Sequence, residues 1–292
     1  MRRLHPFAVL WLLLACAPLH AQMPFYTDDT EVTAPGTLHI EAFDELDGLQ
    51  AAQFPDLRQN TVNLKVNTGL PWGLELDVDA PYLSIYRATG ASSSYGIGDT
   101  EFGLKWKMRD ASLASHLPAL AASFYIEVPT GDYRQELGSG LTDYWLNFIA
   151  QELLSERTRI NVDLGILFAG NTSTGVVGVQ TRRGHVFTGG LSMLHDFSPR
   201  LSIGAEVYGG IADRDGLDRT QLQSLLGVQY RMRPNVALSL ALVAGKYAAS
   251  PRVGGQLGIA VDFPDVCGSA PRPPGYGLSS RAPASAALLP AR

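Results

Sequence analysis

Long stretches of this chain alternate apolar and polar residues with a period of two, a pattern that calls for β-strands with one dry and one wet face. Within residues 60–70, Val62, Leu64 and Val66 alternate with Thr61, Asn63, Lys65 and Asn67. After the turn signal Pro71-Trp72-Gly73, Leu74, Leu76 and Val78 alternate with Glu75, Asp77 and Asp79. Phe102, Leu104, Trp106 and Met108 oppose Glu101, Lys105 and Lys107, and Ile160, Val162, Leu164, Ile166 and Phe168 oppose Arg159, Asn161 and Asp163. The cleanest case sets Leu222, Leu226, Val228, Tyr230 and Met232 against Gln221, Gln223, Gln229, Arg231 and Arg233.

Twelve such segments are expected, near 37–45, 57–70, 73–86, 96–108, 117–129, 141–153, 157–169, 184–197, 200–212, 220–233, 235–247 and 252–263. Most exceed the roughly 5–6 residues of a soluble strand and match the roughly 9–11 of a tilted membrane strand. Short links recur at alternate junctions, at 70–73, 155–157, 198–200 and 233–235, while 46–56, 87–95, 130–140, 170–183, 213–219 and 247–251 are longer. The link 109–116 departs from this rhythm. Short turns at one end and long loops at the other are the pattern of an antiparallel transmembrane β-barrel of the outer-membrane type. A soluble sandwich also needs one wet and one dry face, and it stays open as the alternative, with a soluble periplasmic β-protein as its functional form.

In a barrel the polar face points inward. Glu75, Asp77, Asp79, Glu101, Lys105, Lys107, Asp143, Arg159, Asp163, Glu206, Arg231 and Arg233 are then the candidates for lining the lumen. Acidic rows on 73–86 and basic residues at Lys105, Lys107, Arg231 and Arg233 either set up a transverse field or pair and close it. Even positions face lipid from Val62 to Phe168, and odd ones from Phe187 to Ile211 and from Leu257 to Phe263. Tyr82, Tyr144 and Phe168 fall toward the loop rim, and Trp106, Phe197, Tyr230 and Phe263 toward the turn rim, as interfacial belts do.

The ends read as export and tail. Arg2 and Arg3 precede an apolar run at 7–15 that is too short to span a bilayer, so residues 1–22 are expected to be a signal peptide. Leu13-Leu14-Ala15-Cys16 offers a second reading as a lipoprotein box with Cys16 acylated. With Cys16 in the leader, Cys267 lacks an intrachain partner, which excludes a disulfide framework. Residues 23–36 form an N-terminal periplasmic segment, 37–263 the barrel, and 264–292 a Pro/Ala/Ser-rich disordered tail. A net charge of −5 without a basic stripe argues against nucleic-acid binding.

Catalytic and cofactor motifs fail on inspection. Gly96, Gly98 and Gly103 do not form a nucleotide fingerprint, because Glu101 stands at the third glycine position and no helix follows. His195 and Ser192 face opposite ways along a strand, and His185 and Ser198 lie near strand ends. Asp28, Asp29, Asp213, Asp215 and Asp218 read as ordinary charges rather than metal ligands. The chain is therefore expected to be no enzyme, with no cofactor and no metal.

Three short motifs, in order, carry a family resemblance. They are Phe25-Tyr26-Thr27-Asp28-Asp29-Thr30 followed by Pro35-Gly36; Gly96-Ile97-Gly98-Asp99-Thr100 running into Phe102-Gly103-Leu104-Lys105; and Val128-Pro129-Thr130-Gly131-Asp132-Tyr133 with Gly138-Ser139-Gly140. Together they resemble the outer-membrane family named for the meta-cleavage pathway of phenol degradation, over nearly all of the mature chain to Phe263. The resemblance implies a transporter-like barrel linked to uptake of aromatic or other hydrophobic compounds, without catalytic residues. The expected function is an outer-membrane channel for passive uptake of small molecules. Its expected partners are outer-membrane lipid, the barrel-assembly machinery and a small-molecule solute. The rival is a non-transporting structural or binding barrel, with loop 170–183 as a surface, and a plugged lumen would favour it. Pairing of strand 37–45 with strand 252–263 would close the barrel.

Overall fold

In a computed structural model, residues 23–171, 181–213 and 220–264 are described. They build β1 (Leu38–Gly48), β2 (Asp56–Leu70), β3 (Leu74–Arg87), β4 (Ser94–Ile97), β5 (Thr100–Arg109), β6 (Ala119–Val128) and β7 (Asp143–Ser155). β8 (Thr158–Asn171), β9 (Thr181–Ser198), β10 (Leu201–Ala212), β11 (Gln221–Arg233), β12 (Val236–Gly245) and β13 (Val253–Phe263) follow. The signal peptide with Cys16, the tail from 265 with Cys267, loop residues 172–180, and Asp215 and Asp218 lie outside the described residues.

All main pairings are antiparallel between sequence neighbours, and β1 closes the ring against β13, with Leu38 opposite Phe263 and Gly48 opposite Val253. A closed ring leaves no unpaired edge along the wall, which is the condition for crossing a bilayer with strands. The expected segment 96–108 is interrupted. β4 pairs with Tyr82–Ile85 and β5 with Leu74–Asp79, so both occupy one lane beside β3, and Gly98-Asp99 breaks it. The result is a twelve-stranded antiparallel barrel of the outer-membrane type. No helix among the described residues is long and apolar enough to cross a membrane.

The facing follows the predicted alternation. Leu164, Phe187, Leu191, Leu240, Leu242 and Leu257 point outward and are each more than half exposed, whereas Glu75, Asp77, Lys105 and Glu206 are under 5% exposed. The outside is dry and the inside polar, the inverse of a soluble fold, and this excludes the sandwich alternative. The rim aromatics stand on the outer face: Tyr82, Tyr144 and Phe168 toward the loop end, and Trp106, Phe197, Tyr230 and Phe263 toward the turn end.

Candidate functional site

Eight strands enclose a space that wall side chains just fill, so twelve leave room for something else. Residues 23–36 take it. Placed by sequence as a periplasmic segment ahead of the barrel, this stretch lies inside it. It enters at the turn end, where Gly36 N–H donates to the Gly69 carbonyl at 3.4 Å. The Thr33 N–H then donates to Glu75, and Lys107 Nζ donates to Glu31 at 2.8 Å. Deeper, Lys105 Nζ donates to Asp28 Oδ1 at 2.7 Å, with both side chains over nine-tenths buried. Across the lumen, Glu206 accepts the N–H groups of Tyr26 (3.2 Å) and Thr27 (2.6 Å). The chain then bends back, with Phe25 in an apolar cluster with Leu194, Leu225 and Ala241, and with the Met23 carbonyl accepting from Gln229.

The wall is shaped for this occupant. A Cβ at Gly190 would stand 2.2 Å from Thr27 Oγ1, and one at Gly204 would stand 2.6 Å from the Phe25 ring. Glycine on the inward face of a strand marks such a close approach. The hydroxyl of Tyr26 donates to Glu45 Oε1 and accepts from Gln256 Nε2 at 2.8 Å, and its ring lies 5.9 Å from that of Tyr208. Burial, reinforced by the nearby Glu45, raises that hydroxyl well above its ordinary pKa, so it serves as a neutral donor.

Most of the candidate lining residues face this interior. Glu75, Asp77, Lys105, Asp143, Asp163 and Glu206 are buried inside, and Asp79, Glu101 and Lys107 are partly so. Lys105 and Lys107 pair with acids of the inner segment, so of the two expected alternatives this basic row takes the paired one. Arg159 lies at the turn end, 3.5 Å from Asp196, and Arg231 donates to the Pro199 carbonyl at 3.1 Å beside the neighbouring turn. Arg233 is exposed where β11 ends, so it leaves the lining. Their positions one to three residues from a turn explain the departure: alternation gives a side, not a depth.

The loop end is narrowed by residues 130–140. Asp99, in the break between β4 and β5, accepts the N–H of Gly131 (2.9 Å) and of Ser139 (2.7 Å). This latch holds Leu137 against the inward-facing Leu83 and Ile85. Arg87 ties the same rim, bonding Asp56 at 2.6 Å and also Glu136. Two of the family-like motifs, Gly96 to Thr100 and Thr130 to Gly140, are therefore halves of one fastening. Neither was read that way from sequence, because Asp99 alone carries no pattern.

The residues weighed for catalysis are dispersed. Ser192 faces inward and accepts from Asn161 at 3.0 Å, while His195 contacts Thr158 at 2.9 Å. His185 meets Asp213 at 3.1 Å, and Ser198 caps its turn by accepting from the Arg200 N–H at 3.2 Å. Among the described residues, no cluster of three or more His, Cys, Asp or Glu has a metal-binding arrangement.

Comparison with known proteins agrees with this architecture. The chain is similar to the KdgM porin in a structure titled as a complex with disordered oligogalacturonate, at 13% identity and a TM-score of 0.51, covering 77% of this chain and 99% of that one. The NanC porin is similar at 10% identity and a TM-score of 0.50, covering 77% and 98%. At such identities the likeness is one of fold. No curated protein matches. A family model described as "Putative MetA-pathway of phenol degradation" matches residues 35–263. The chain, from the strand-opening Pro35-Gly36 to Phe263 on the closing strand, belongs to that family.

Proposed function

We propose that this protein is an outer-membrane channel for passive uptake of small molecules, aromatic or hydrophobic ones among them, and that residues 23–36 close it in the state described. The observation that carries this reading is the closed ring of twelve strands, too wide for its own side chains to fill; the filled lumen taken alone favours a non-transporting barrel. The wall is a closed ring with an apolar exterior, and its lumen is filled by a segment anchored at one end rather than by the wall itself. Apart from Phe25, the segment is held chiefly by polar contacts, which water can replace when it leaves the lumen. The bacterial outer membrane is the location that fits the dry outer face, with its lipid and the barrel-assembly machinery as partners.

The test is conductance. In planar bilayers the full chain should conduct rarely, and a chain lacking residues 23–32 should give long-lived openings. Silence from both, in barrels shown to be folded, would sink the channel reading. It would favour the second reading, a non-transporting barrel, whose support is the same filled lumen.

A further inference from the structure

We propose that the place held by the Tyr26 side chain is a binding site for a free phenolic solute, which Tyr26 occupies as a tethered stand-in. The tyrosine side chain is chemically para-cresol. Its hydroxyl partners and its aromatic neighbour are supplied by the barrel wall rather than by the inner segment. Glu45 Oε1 accepts its hydroxyl proton, and Gln256 Nε2 donates to the hydroxyl oxygen at 2.8 Å. Gln256 Nε2 also donates to Glu45 Oε2 at 2.8 Å, so acceptor and donor are fixed relative to each other. The ring of Tyr208 lies 5.9 Å away at an interplanar angle of 33°, and the apolar cluster of Leu194, Leu225 and Ala241, together with Phe25 of the inner segment, flanks the site.

Glu45, Gln256 and Tyr208 are all more than nine-tenths buried. The arrangement is built into the wall: Glu45 and Gln256 are register partners on adjacent strands, three residues from the loop end of each. The site thus lies on the side from which an external solute would arrive. Such a site discriminates. A ring without a hydroxyl would leave the buried Glu45 oxygen without its donor, whereas phenol or cresol would satisfy both hydrogen bonds.

Only the solute's route through the barrel rests on the channel reading; the site itself rests on the contacts of Tyr26. The test uses the full chain, refolded in detergent, with para-cresol and toluene as probes followed by titration calorimetry. Tyr26→Ala should bind para-cresol about tenfold or more tightly than the native chain, because a tethered competitor at millimolar effective concentration has been removed. In that variant toluene should bind at least about tenfold more weakly than para-cresol. Adding Glu45→Leu should abolish the preference. The chain lacking residues 23–32, which vacates the same place, provides the same comparison if Tyr26→Ala does not fold. Equal binding of cresol and toluene, or no binding of either, overturns the site. Should a Tyr26 variant conduct but bind no cresol, the site fails and the channel stands. Should it bind cresol while no chain lacking residues 23–32 conducts, the site stands and the channel fails.

Discussion

Replacing Lys105 with methionine tests whether the inner segment is a removable closure. Lys105 Nζ sits 2.7 Å from Asp28 Oδ1 and 3.7 Å from Asp29 Oδ1, its side chain 4% exposed. Met preserves length and apolar stem but deletes the charge, leaving buried Asp28 without its hydrogen-bonded cation and with only the field of Lys65 nearby. Removing one partner of a buried pair costs about 3–5 kcal/mol. That cost falls on the closed state alone, because a segment released into water solvates Asp28 again. At 1.4 kcal/mol per tenfold, the open-to-closed ratio should rise by about a hundredfold to a few thousandfold. Single-channel recordings in planar bilayers read the ratio directly as open probability. The double variant Lys105→Met with Asp28→Asn should recover much of the closure, since an uncharged partner tolerates the loss. A folded Lys105→Met barrel with native open probability, or a double variant as open as the single, refutes the reasoning.

Three further outcomes follow from other contacts. Gly204→Leu places side-chain atoms where the Phe25 ring stands, given the 2.6 Å approach of even a Cβ, and should expel the segment; a Thr27→Cys reporter should then react with thiol reagents much faster than in the otherwise native chain. Asp99→Ala removes the acceptor of two N–H bonds, each worth about 1.5–3 kcal/mol when the acceptor is charged; trypsin should cut at Arg134 in the variant and spare the native loop. Leu240→Arg puts a cation on the outward face at mid-strand, where it should cost about 2–4 kcal/mol in urea unfolding from lipid vesicles, while Ser239→Asn on the inward face should cost little.

Much of the barrel was legible because its signal is local. Each strand declares its two faces through its own residues, so Val62, Phe102 and Leu226 could be assigned to the outside without knowing their neighbours. The short turns at 70–73, 198–200 and 233–235 fixed which strands are adjacent, and closure of β1 on β13 followed the expectation. The inner segment was not legible, for the opposite reason. Phe25 to Thr30 has no periodicity, and its partners Glu206 and Lys105 stand 179 and 77 residues away. One local hint existed: Gly190 and Gly204 interrupt the polar face where a side chain was due, the mark of another chain lying close. The break at Gly98-Asp99 was hidden because strand 96–108 alternates well enough on either side of it. Arg231 and Arg233 were misplaced because alternation reports a direction and is blind to depth along the wall.

The two strands that the Tyr26 hydroxyl touches are the first and the last of the barrel. Glu45 lies on β1 and Gln256 on β13, 211 residues apart, so the ring of hydrogen bonds is completed where the chain's most distant parts meet. Contacts of that sequence separation form late. The hydroxyl of Tyr26 can find both of its partners only after the seam has been stitched. A barrel left unzipped between its first and last strands has no place for that hydroxyl, although Lys105 and Glu206 still offer the segment their contacts.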